Sequence, residues 1–194
     1  MKKILLILAL GLTADKAMAV APVWDYVQLS YIQTDADDDL GDIEPKGPML
    51  FVSKALTDNI FLAGSYIRLS DNVAGIDVDI DQITAGLGYN YNLTHTTDVF
   101  AALSYEEIDV SARFGNNKAS TDNNGYGLTV GVRAMVLPQL EAKAAIRYVD
   151  IDTDSTTTLG LAADYLFTPQ LALGVNYDIA ENSNLIGVNG RYNF

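Results

Sequence analysis

His95 is the single imidazole in this chain, and no cysteine accompanies it. Activation of a serine needs a base within hydrogen-bond reach, and a histidine ring is the usual one. His95 stands in the polar turn Asn92–Asp98, so the plain reading is a turn residue and no Ser-His-Asp arrangement is expected. The adjacent carboxylates Glu106 and Glu107 point to opposite faces of an extended strand, which spoils them as an acid–base pair. No catalytic residue is assigned, and the chain reads as not an enzyme.

The other chemistry on offer is cation binding. Asp35, Asp37, Asp38, Asp39, Asp42 and Glu44 crowd the loop Thr34–Gly47, and carboxylate oxygens suit Ca²⁺ or Mg²⁺. The EF-hand order fails, because Leu40 stands where its glycine belongs and Lys46 where its glutamate belongs. No metal site and no cofactor is assigned. Asp77, Asp79, Asp81, Asp150, Asp152 and Asp154 add charge at the same end, giving a solvated, self-repelling rim. A formal net charge of −13 lacks the basic footprint that phosphates demand, so no nucleic acid is expected as a partner.

These residues need a frame to position them. Met1-Lys2-Lys3, the apolar run Ile4–Leu12 and the small-x-small site Ala17-Met18-Ala19 read as a secretory signal peptide over 1–19. The remainder, 20–194, is one domain with 9 basic and 24 acidic residues. There the dominant signal is period two. Tyr126, Leu128, Val130, Val132, Ala134 and Val136 alternate with Gly127, Thr129, Gly131, Arg133 and Met135. Leu140–Tyr148, Leu159–Phe167, Leu171–Tyr177 and Ile186–Phe194 repeat the scheme. Such alternation belongs to strands with two different environments on their faces.

Ten strands are predicted, over 24–33, 48–56, 60–69, 76–91, 98–110, 124–136, 140–150, 157–167, 170–179 and 184–194. Most reach the roughly 9–11 residues that a tilted strand needs to cross a bilayer. Tight turns at Leu56–Asn59, Leu137–Gln139 and Thr168–Gln170, with Asn92–Asp98, alternate with longer loops such as Thr34–Gly47 and Ala112–Asn123. An even strand count then places both termini on the turn side. In the fourth strand Asp77, Asp79 and Asp81 share parity with Ile83, Ala85, Leu87 and Tyr89. That predicts either a bulge near Asp81–Gln82 or a strand continuing beyond the membrane.

Alternation alone does not say which face is apolar outward. Three features choose lipid over a soluble core. Tyr31, Tyr105, Tyr126, Tyr148 and Tyr177 gather near the loop end of the apolar parity, and Tyr89, Tyr91, Tyr165, Phe167, Tyr192 and Phe194 near the turn end. Two such belts suit the two interfaces of a membrane. The other parity is rich in glycine (Gly86, Gly88, Gly127, Gly131, Gly160, Gly174, Gly187), which relieves crowding inside a narrow barrel. It also receives Lys54, Arg68, Arg133, Lys143, Arg147 and Arg191 with Glu106, Glu141, Asp164 and Asp178, a set suited to a luminal salt-bridge network. Met135, Tyr26 and Tyr66 are expected to help fill the interior.

The signal peptide, the meander of hairpins, Gly86-Leu87-Gly88-Tyr89 and the ending Gly190-Arg191-Tyr192-Asn193-Phe194 together resemble small Gram-negative outer-membrane β-barrel proteins. The resemblance implies an all-β, antiparallel up-and-down transmembrane barrel in the cell outer membrane, similar to the outer membrane protein A barrel or a porin-like β-barrel. Familiar small members have eight strands, so eight is the alternative to ten. It also implies the β-barrel assembly machinery as a partner, engaged through the strand ending at Phe194; outer-membrane lipid and lipopolysaccharide are the other expected partners, with divalent cations on the acidic rim as a hypothetical bridge. The expected role is structural or surface-interacting, with a small passive pore as the alternative.

Overall fold

The computed structural model describes residues 21–36, 44–73, 75–115, 117–152, 154–181 and 183–194. The expected signal peptide and the loop aspartates Asp37, Asp38, Asp39 and Asp42 lie outside the described residues. Ten strands run in chain order: β1 (Tyr26–Ala36), β2 (Lys46–Ala55), β3 (Ile60–Val73), β4 (Ile76–Thr94), β5 (Thr97–Phe114), β6 (Asn117–Leu137), β7 (Leu140–Ile151), β8 (Asp154–Leu166), β9 (Leu171–Ile179) and β10 (Ser183–Asn193). Each pairs antiparallel with its chain neighbours, and β1 pairs with β10 from Tyr26↔Asn193 to Ala36↔Ser183. Closure leaves no open sheet edge, the condition under which strands survive in hydrocarbon. Ten strands, not eight, close the ring.

The expected orientation of the faces holds. Leu29, Leu103, Leu128, Val130, Ile146 and Val188 are exposed on the outside, whereas Arg133, Glu141, Glu106 and Arg191 are buried within. The two tyrosine belts face outward. On β6 the ten steps from Tyr126 to Val136, at about 3.4 Å each and tilted about 40°, span roughly 26 Å, close to the apolar band of an outer-membrane barrel.

Three expectations change. No bulge interrupts β4 at Asp81–Gln82, because the ladders to β3 and β5 run unbroken through both residues. A register shift occurs instead at Asn92/Thr94, beside the two-residue turn His95-Thr96. The alternative expectation accounts for the parity: β4 continues past the lipid. Below Ile83 the outward face carries Leu87 and Tyr89, and above it Asp81, Asp79 and Asp77 occupy the same face in water. Secondly, Ala112–Asn123 is not a loop. Phe114↔Asn117 and Ser111↔Ser120 extend the β5–β6 ladder to a tight tip at Gly115, whose φ of 58° is left-handed. Ladder hydrogen bonds do not need apolar side chains, so a polar segment above the membrane pairs without showing alternation. Thirdly, Lys54, Arg68 and Tyr66 lie on the outside. Lys54 follows Leu50 and Val52 on the outward face, and Arg68 follows Leu62 and Tyr66.

Their positions explain why charge is tolerated there. Lys54 Nζ sits 3.1 Å from Asp25 and 5.2 Å from the centre of the Phe194 ring, at the turn-end rim where a long stem can lie along apolar surface. Arg68 belongs to the loop-end rim. Its Nε is 3.9 Å from Asp81 Oδ1, the oxygen that accepts the Tyr66 hydroxyl at 2.6 Å.

Candidate functional site: the barrel lumen

Inward-pointing residues of four strands converge at the turn end. Glu141, at the start of β7, accepts from Arg133 Nε of β6 at 2.8 Å and from Arg191 Nη2 of β10 at 2.8 Å. Arg191 Nη1 reaches Asp164 Oδ2 of β8 at 3.2 Å, and Asn189 Nδ2 donates to Asp164 Oδ1 at 2.7 Å. Two guanidiniums and two carboxylates balance, and their side chains are 2% exposed, with Asp164 at 8%. Such a cluster persists in a low-dielectric interior only because each charge is paired. Arg133 Nη1 has no hydrogen-bond partner. The guanidinium stacks instead over Trp24 (4.5 Å) and Tyr26 (5.1 Å).

Aromatic rings complete this end. Trp24 stacks on Phe61 at 4.2 Å and meets Phe100 edge-on at 5.4 Å. Trp24 Nε1 donates to the wholly buried Asp98 at 2.7 Å, and Asn92 Nδ2 holds the other Asp98 oxygen at 2.7 Å. Phe61 lies opposite Gly88 and Phe100 opposite Gly131 in their ladders. A Cβ at Gly88 would strike the Phe61 ring, so this glycine is the seat of an aromatic lid rather than a source of flexibility. Together the ion cluster and the rings fill the lumen at the turn end.

A second network sits nearer the loops. Glu106 of β5 is fully buried and accepts from Ser104 Oγ at 2.6 Å and Thr84 Oγ1 at 2.7 Å, with Arg147 Nη2 at 2.7 Å. Glu107 turns to the opposite face, as expected from its neighbouring position. Between the networks lies a cavity of about 270 Å³. One wall is apolar, built from Met49, Phe51, Phe61, Ile67 and Phe100; the other carries Lys143, Arg147, Asn176 and Asp178.

Of the expected luminal charges, Arg133, Lys143, Arg147, Arg191, Glu106, Glu141, Asp164 and Asp178 are thus inside, and Met135 and Tyr26 are buried with them. Trp24, Phe51, Phe61, Phe100 and Asp98 are luminal residues that the alternation pattern misses. For Phe61 and Phe100 the signal is an aromatic facing a glycine across a ladder, which becomes visible only once register is known. His95 is exposed at the turn end, away from the lumen. Among the described residues no group of three or more histidines and carboxylates is arranged to hold a metal ion.

The family model described as outer membrane protein beta-barrel domain matches residues 4–167. Neisserial surface protein A aligns at 17% identity over 87% of this chain and 96% of its own, with a TM-score of 0.51. The NanC porin aligns at 8% identity over 86% and 100%, with a TM-score of 0.54. The translocator domain of the autotransporter NalP from Neisseria meningitidis aligns at 12% identity over 87% of each chain, with a TM-score of 0.52. At such identities these likenesses show the fold alone. No curated protein matches the chain in sequence.

Proposed function

We propose that this chain, which belongs to the outer membrane protein β-barrel domain family and resides in the bacterial outer membrane, serves there as a closed, non-enzymatic barrel with a structural or surface-interaction role. The observation that carries this reading is the burial of Arg133, Glu141 and Arg191, each 2% exposed. Charged groups lining a water-filled passage would be wetted; these are sealed by each other and by Trp24 and Tyr26. The tight-turn end is the periplasmic side of the barrel in this reading, so the seal faces the periplasm and the chamber opens toward the exterior. Reconstitution in planar bilayers tests it. The expected trace is silent, and stable single-channel openings would establish the competing role as a small pore, for which the cavity above the seal is the supporting feature.

The acidic rim is proposed to contact the lipopolysaccharide leaflet through divalent cations, with Asp77, Asp79 and Asp81 on the outward face just above the Tyr66 belt position. In bilayers containing lipopolysaccharide, EDTA is expected to lower the thermal midpoint of the wild-type barrel. A triple alanine variant at these positions should lose that sensitivity, and an EDTA-insensitive wild type refutes the contact. The closing strand β10 and Phe194 are proposed as the segment that the β-barrel assembly machinery engages.

A further inference from the structure

We propose that the luminal cavity is a binding site for a small zwitterion with an apolar body, such as a free amino acid with a large apolar side chain. The charge inventory points to it. Both oxygens of Glu141 are taken by Arg133 and Arg191, Asp164 is taken by Arg191, and Glu106 is taken by Arg147. Asp98 is held by Trp24 and Asn92, one on each oxygen. Among the described residues one luminal cation and one luminal anion are left, Lys143 and Asp178. Neither is within ion-pair distance of an opposite charge among the described residues, and both line the cavity.

Register keeps these two charges unpaired. Lys143 lies directly across the β6–β7 ladder from Arg133, a like-charge juxtaposition that costs energy until an anion arrives. Asp178 of β9 lies across from Gly160 of β8, and a Cβ at Gly160 would meet its carboxylate at 2.7 Å. The absent side chain makes room for that carboxylate. Beside them Asn176 Oδ1 is buried without a hydrogen-bond partner, a free acceptor for an ammonium group. A simple anion would satisfy Lys143 and leave Asp178 facing it; a simple cation would do the reverse. A guest carrying both charges pairs both.

Size and polarity set the rest of the guest. A volume of about 270 Å³ falls below the ~300–1,000 Å³ of pockets that hold drug-sized ligands. The opposite wall offers Met49, Phe51 and Phe100 to an apolar side chain, and the Lys143 ammonium lies 6.0 Å from the Phe100 ring centre. Above the cavity, the inner faces of β4 and β5 present Ile80, Val78, Ile108 and Val110, an apolar approach from the loop end that continues the Ile67 wall.

Trp24 is the sole tryptophan of the chain and lines the cavity, so its fluorescence reports occupancy. The protein, folded into uncharged maltoside micelles, is titrated with L-phenylalanine, 3-phenylpropionate and phenethylamine under excitation selective for tryptophan. L-Phenylalanine is expected to give a saturable change, and each singly charged analogue to bind at least tenfold more weakly. Lys143→Gln should bring L-phenylalanine down to the phenethylamine level, and Asp178→Asn down to the phenylpropionate level, with folding verified by the mobility difference between unheated and boiled samples. No saturable change overturns the proposal. So does equal response to all three compounds in the wild type, which needs no variant and signals mere partition onto apolar surface; so do folded variants that bind like the wild type.

Discussion

Glu141→Ala is expected to destabilise the barrel by about 3–5 kcal/mol, the usual loss when one member of a buried ion cluster is removed. The carboxylate serves two guanidiniums at once, Arg133 at 2.7 Å and Arg191 at 2.8 Å. Its removal leaves Asp164 alone to balance two buried positive charges that are 2% exposed. Arg133 cannot escape toward water, because Trp24 and Tyr26 cover its face. Denaturant unfolding in lipid vesicles, followed by Trp24 fluorescence, measures the loss. The double variant Arg133→Met/Glu141→Leu should recover much of it, since a packed apolar pair avoids the desolvation cost and leaves the Arg191–Asp164 pair intact. A loss below about 1 kcal/mol, the range of solvent-exposed pairs, would mean that water reaches the cluster and that the turn end is not sealed.

Val130→Arg is the second large effect, with an expected cost of about 2–4 kcal/mol, as for arginine at the bilayer midplane on the lipid face of a barrel. Val130 is exposed on the outside of β6, two outward positions below the belt residue Tyr126. Val136 lies on the same strand and the same face but at the turn-end interface, and Val136→Arg should cost only about 0–1 kcal/mol. The same vesicle unfolding assay compares the two. A gradient from Val130 to Val136 establishes hydrocarbon against this face, whereas equal costs would remove the lipid from it.

Much of this architecture is legible in the order of the residues. Period two in Tyr126–Val136 and Leu140–Tyr148 is enough to predict strands, ten of them, and to assign inner and outer faces to Arg133, Glu141, Val130 and Ile146. Where the pattern misleads, it has lost its physical cause. β3 carries apolar residues on both parities, since Phe61, Ile67 and Leu69 pack inward while Leu62 and Tyr66 face out, so Arg68 is a false marker of the interior. Lys54 shares the outer face with Val52 but sits at the rim, where the lipid constraint ends. Ala112–Asn123 lies beyond the membrane, where nothing enforces alternation, and its strands therefore leave no periodic trace. The triplet Asp77, Asp79 and Asp81 looks irregular only if the whole of β4 is taken to cross lipid.

The division between the two levels follows from the range of the forces involved. Facing hydrocarbon or the lumen is a property of each residue and its parity, so sequence alone determined that these strands cross a membrane as a barrel and, for most of them, which side chains turn inward. Whether the lumen is open is decided between strands. Phe61 meets Gly88, Phe100 meets Gly131, and Glu141 meets Arg133 and Arg191 through ladder registers set by turns, by the length of each crossing and by closure of β1 on β10. A shift of one residue in any ladder would preserve composition and undo this packing. Tertiary structure therefore decided the packing of the turn end, the partnered ions and the two charges left facing the cavity.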